Sequence, residues 1–107
     1  MKNLITNAFS INMLTGNQQI SFKKVDKNFV AGMISNGGFT SAVGHQDTAV
    51  IFSNVLGKKI KANRITITLD GDFTLVVGQY SGPRLQEGAT VLPDDAKIDW
   101  WVVESIR

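Results

Sequence analysis

The chain has 107 residues, 43% of them apolar and 19% charged, with a formal net charge of +2. One globular domain is the expectation at this length, and so small a charge excludes a protein that coats long nucleic acid through a basic stripe. With no Cys and one His, disulfides, thiolate metal sites and a multi-His zinc site within one chain are excluded as well.

In chain order, Leu4 and Ile5 predict a first strand ending near Thr6. Asn7, Ser10 and Asn12 interrupt the apolar stretch, so it does not read as a signal-peptide core. No apolar run approaches membrane length. The expectation is a soluble, cytoplasmic protein that makes no membrane contact. Ser10 is placed to cap a short helix through Ile11, Met13 and Leu14, stopped by Gly16. "QISFKKV" alternates as a half-buried strand. Asp26 caps a predicted helix in which Phe29, Val30, Met33 and Ile34 recur at helical spacing, and "NGG" ends it. "FTSAV" is a short strand. "GHQDTAVIFSNVLG" is a second helix with a wide apolar face, Asp47 and Thr48 as candidate caps and Gly57 as its stop.

"NRITITLDGDFTLVVGQY" alternates Ile65, Ile67 and Leu69 with Arg64, Thr66 and Thr68, and Asp70-Gly71 reads as a two-residue hairpin turn. That hairpin would set Arg64 opposite Val77 and make Arg64 and Gln79 diagonal neighbours, about 7–8 Å apart. Val76 and Val77 are both apolar, so both faces of the second strand are expected to be covered. "YSGPRLQEGATVLPDD" holds both prolines and has no period. Long loops of this kind are often functional, and Asp94 and Asp95 read as the cap of a short helix. "IDWWVVES" closes the chain as a strand with Trp100 and Trp101 on opposite faces. The order predicts a single α/β (α+β) domain over residues 1–107, a mixed β-sheet flanked by helices.

Few residues carry chemistry. His45 follows Gly44 where a strand gives way to a helix, and a helix start attracts phosphate through free N–H groups and the positive dipole end. A His there can protonate a leaving oxygen; equally, a lone His is an ordinary surface or cap residue. Arg64 reads either as an exposed strand arginine or, paired with Gln79, as one side of a ligand site. Arg84 and Glu87 are a solvated loop ion pair or functional loop residues. Asp70 and Asp72 read as turn residues rather than a metal pair. From the residues alone, the chemistry suits binding a small nucleic acid, or cleaving one without metal.

"TNAFSINML", "AVGHQDT", "KANRITI" and "RLQEG", in that order, resemble the small viral anti-CRISPR ring nucleases of type III CRISPR defence and their cellular and mobile-element relatives. The resemblance covers most of the chain and is weakest from Thr15 to Gly38 and in the last dozen residues. It implies a homodimer that binds cyclic tetra-adenylate across its two-fold axis and cleaves it without cofactor or metal, in the host cytoplasm where the source is viral. On this resemblance His45 is the general acid, Arg84 meets phosphate and Glu87 is the loop acid. Asn7, Ser10 and Asn12 line the ligand pocket, and Arg64 and Gln79 lie on its floor. The chain departs from the family at Gln86, where the viral members carry a second acid, and in "SGP" before Arg84. Two other readings compete. One is a protein that sequesters the ring uncut. The other is a regulator that docks a protein through the Trp100–Trp101 strand.

Overall fold

The computed structural model describes residues 2–106. It contains five strands, β1 (Lys2–Thr6), β2 (Ile20–Val25), β3 (Thr40–Ser41), β4 (Phe73–Ser81) and β5 (Lys97–Ser105), and two α-helices, α1 (Lys27–Ser35) and α2 (Gln46–Leu56). A 3-10 turn spans Ile11–Met13. The strands form one mixed sheet in the order β2-β5-β4-β1-β3. β1 is parallel to both β3 and β4, whereas β5 runs antiparallel between β4 and β2. This is the predicted single α+β domain with a mixed sheet.

Most local signals act as expected. The Asp26 carboxylate accepts the Phe29 N–H at 2.8 Å and starts α1. Ser10 caps the 3-10 turn by accepting the Asn12 N–H at 3.2 Å. Gly57 closes α2 in the left-handed conformation at φ 67°, where a side chain would be strained.

The predicted hairpin does not form. β4 sits inside the sheet with β1 on one side and β5 on the other, so it has no free edge for residues 64–69. Asp70-Gly71 is a turn, with Gly71 at φ 61°, but it leads into a central strand from a segment that is not that strand's partner. Residues 64–69 instead leave the sheet edge and cross one face. Ile67 and Leu69 are buried there, and the Leu69 N–H donates to the Met13 carbonyl at 2.7 Å. The alternation was therefore a true sign of burial, but the pairing came from elsewhere. Lys2 bonds both the Thr68 carbonyl and the Asp70 carboxylate, at 2.6 and 2.7 Å, and holds this segment down. The helix expected at Asp94 and Asp95 is a turn, closed by the Ala96 N–H on the Pro93 carbonyl.

The sheet has two unlike faces. Both helices cover one, where Val30, Ala49, Phe52 and Leu56 pack on Ile5, Val76 and Trp100. Phe52 and Trp100 meet at a centroid distance of 4.8 Å. Gly78 lies between them, and a Cβ there would come within 2.5 Å of the Trp100 ring and 2.6 Å of the Phe52 ring. The other face, with Leu75, Val77 and Val103, is covered by Ile67, Leu69, Phe9, Met13 and Leu14 from irregular segments. Trp100 and Trp101 divide between the two faces as their alternation predicts.

Candidate functional site

Three parallel neighbours, β4, β1 and β3, end on the same side of the sheet. In sheets of this kind, ligands bind beyond the carboxyl ends of the strands. Several of the candidate residues stand on that rim. Asn7 directly follows Thr6, whose Cα partner is Val77 on β4. The Thr6 hydroxyl donates to the Ala42 carbonyl at 3.2 Å and ties the end of β1 to the strand that leads to Gly44 and His45. Gln79 lies two residues beyond Val77 and is exposed.

His45 is the residue that caps α2. Its backbone is extended, its carbonyl accepts the Ala49 N–H at 3.0 Å, and its side chain makes no capping bond. The expected caps, Asp47 and Thr48, lie inside the helix instead, with Asp47 in the first turn. The imidazole is exposed at the positive end of the helix.

Arg64 reaches this corner by an unexpected route. Its predicted partner was Gln79 across a hairpin, but Gln79 faces Asp99 on β5. Arg64 lies against Gly44 instead, so that a Cβ built on Gly44 would be 3.8 Å from Arg64 Nε. The guanidinium is thus beside the residue that precedes His45. Arg64 follows a segment that lies outside β3, three strand spacings from the β4 of Gln79, or about 14 Å. Arg64 makes no ion pair among the described residues, so its charge is uncompensated.

Asn63, which is not among the sequence candidates, lies directly before Arg64 and is bonded to the strand end that leads to this corner. Its backbone N–H donates to the Val43 carbonyl at 2.8 Å, and its Nδ2 donates to the Ser41 carbonyl at 2.7 Å. The Ser41 hydroxyl donates to the Lys61 carbonyl at 2.6 Å. Residues 61–63 therefore run along the outer edge of residues 41–43. The signal for it was an Asn directly before the arginine, a residue type suited to bonding backbone off the regular ladder.

Ser10 and Asn12 are exposed on the 3-10 turn, and Ser10 spends one acceptor on its cap. The adjoining Phe9 packs edge-on against Phe22 at 5.4 Å. Arg84 and Glu87 are exposed on the loop between β4 and β5 and form no ion pair with each other among the described residues. The loop is fastened at its base by the Tyr80 hydroxyl, which donates to the Pro83 carbonyl, and further along by Asn54 of α2, which donates to the Thr90 carbonyl. Neither fastening involves Arg84 or Glu87 themselves. Among the described residues, no three His, Cys, Asp or Glu side chains cluster as metal ligands would. No helix there is long and apolar enough to cross a membrane.

Fold and rim together define a small α+β protein with a polar ledge at the carboxyl ends of parallel strands, assembled from segments far apart in sequence. The chain belongs to the STIV B116-like family, whose model matches residues 3–98. Its structure is similar to that of B116 of Sulfolobus turreted icosahedral virus, with a TM-score of 0.82 and 26% sequence identity over 96% of this chain and 98% of that chain. No curated protein matches the sequence significantly.

Proposed function

We propose that the protein is a metal-independent ring nuclease. It binds cyclic tetra-adenylate across a homodimer and cleaves it to linear di-adenylate with 2′,3′-cyclic phosphate ends, which silences type III CRISPR signalling. The observation that carries this reading is the corner formed by Gly44, His45 and Arg64 beside Asn7. It sets His45 at a helix start and the Arg64 guanidinium against the preceding residue, Gly44, at the carboxyl ends of the parallel strands. The motif resemblance supplies the substrate class.

The chemistry asks little of the protein. The ribose 2′-OH gives up its proton to water and attacks the adjacent phosphorus, and the bond to the 5′-oxygen breaks. Holding the two in line supplies much of the advantage. His45 gives a proton to the leaving 5′-oxygen. Arg64 and the α2 N-terminus attract the phosphate in the ground state. Arg84 offsets the charge of the pentacoordinate phosphorus, and Glu87 orients the 2′-OH or Arg84. Both lie on the loop that continues from the carboxyl end of β4, and loops of this kind close over ligands. Asn7, Ser10, Asn12 and Gln79 present amides and a hydroxyl to base edges and ribose. A symmetric ring suits a two-fold dimer, in which one His per chain becomes two per site. The irregularly covered face offers surface for that pairing. A cavity of about 330 Å³ lined by Phe9, Phe22, Val77, Gln79, Trp101 and Val103 opens there, and Phe22 is 52% exposed.

The test is incubation with cyclic tetra-adenylate in EDTA, beside His45→Ala, with products resolved by mass. The expected result is di-adenylate with a cyclic phosphate end, formed about 10²–10⁴-fold more slowly by the variant. Tight binding without cleavage would replace the enzyme with a protein that sequesters the ring. Absence of both binding and cleavage would overturn the reading.

A further inference from the structure

We infer that Asn63 is a positioning residue for the proposed phosphate site, acting through Arg64; the inference rests on the reading just given. Asn63 bonds two carbonyls of the neighbouring strand end, Val43 through its backbone and Ser41 through its side chain. Those bonds set the register between residues 61–63 and 41–43. One residue further on each side, the same register lays Arg64 over Gly44, next to His45. The arginine itself has no carboxylate partner to hold it among the described residues. Its location is therefore inherited from the residue before it.

The chemistry of the latch is specific. The Ser41 carbonyl accepts only, so position 63 must supply a donor. Asp at 63 has the same shape and no donor when ionised. The Val43 bond uses backbone and survives any side-chain change except proline. Loss of the Asn63 amide should thus leave the segment held by the Ser41–Lys61 and Asn63–Val43 bonds but without its side-chain brace next to Arg64, loosening the guanidinium without unfolding the edge.

The experiment measures affinity for cyclic tetra-adenylate in the wild type, Asn63→Ala, Asn63→Asp, Arg64→Ala and the Asn63→Ala/Arg64→Ala double variant. The Arg64 Nε–H resonance is recorded by ¹H–¹⁵N NMR in the chains that retain the arginine. The expected result is a roughly tenfold loss of affinity for either Asn63 change, the size of one lost hydrogen bond, and less than about twofold further loss where Arg64 is already Ala. The Arg64 Nε–H line should move from its wild-type position while the remaining amide spectrum persists. Equal losses in both backgrounds, full affinity in Asn63→Asp, or an unmoved Nε–H line would overturn the inference. If the wild type does not bind the ring, the proposed function fails, and the Nε–H line alone still decides whether Asn63 places Arg64.

Discussion

The two faces of the sheet differ in how they are covered. On the helical face, α1 and α2 bring Val30, Ala49 and Phe52 to complete burial against Ile5, Val76 and Trp100. On the other face, Leu69 and Leu75 are equally buried, but the cover is a 3-10 turn and an extended segment, and Phe22 and Ile65 remain about half exposed at 52% and 44%. A helix presents a continuous apolar stripe that closes over a sheet. An extended segment covers only a narrow strip. The helical face therefore holds the fold together, whereas the irregular face keeps apolar surface open for another molecule.

This contrast can be broken at four places. The largest effect is expected for Phe52→Ala, which empties the centre of the helical face and should cost about 3–5 kcal/mol in denaturant unfolding. Gly78→Ala fills the same place instead, driving a methyl into the Phe52 and Trp100 rings, and should cost about 1–3 kcal/mol. On the other face, Phe22→Ala should cost less than about 1 kcal/mol in the isolated chain, because half of the ring is already in water. A loss there as large as that of Phe52→Ala would make the two faces equivalent and remove the argument for an open surface. The smallest effect concerns the Lys2–Asp70 pair. The Lys2 ammonium, through its hydrogen bond and its charge, holds the Asp70 carboxyl below its ordinary value of 3.8. A lowered folded pKa stabilises the chain above the unfolded pKa, and that contribution is lost as pH falls through the folded value. Lys2→Met should therefore lower the melting temperature slightly at neutral pH. The difference should shrink below pH 3.8 and vanish in stronger acid.

Where a segment's structure depends on neighbours in the chain, it was legible. The Asp26 cap, the Ser10 cap, the Gly57 stop and the division of Trp100 from Trp101 are all decided within a few residues. His45 is likewise placed at a helix start, and of the candidate caps, His45, Asp47 and Thr48, the structure selects His45. The hairpin was misread because turn chemistry is local and strand pairing is not. Asp70-Gly71 suits a hairpin, but both edges of β4 are taken by β1 and β5, which are distant in sequence.

That competition also decided the candidate site. From sequence, Arg64 and Gln79 are expected as diagonal neighbours, and Asn63 enters only as the residue before Arg64 in "KANRITI". In the fold, Arg64 lies beside Gly44 and His45, fixed by bonds from Asn63 to Ser41 and Val43. The sequence by itself determined which side chains are candidates for phosphate and nucleoside, and where both α-helices and the strands of the sheet run. It did not determine the course of residues 64–69 or the turn at Asp94, since side-chain type and short-range periodicity carry only local information. Only the tertiary structure decided which of those residues share a corner, because the hydrogen bonds joining residues 41–43 to 61–63 close across about twenty residues and leave no periodic trace in either segment.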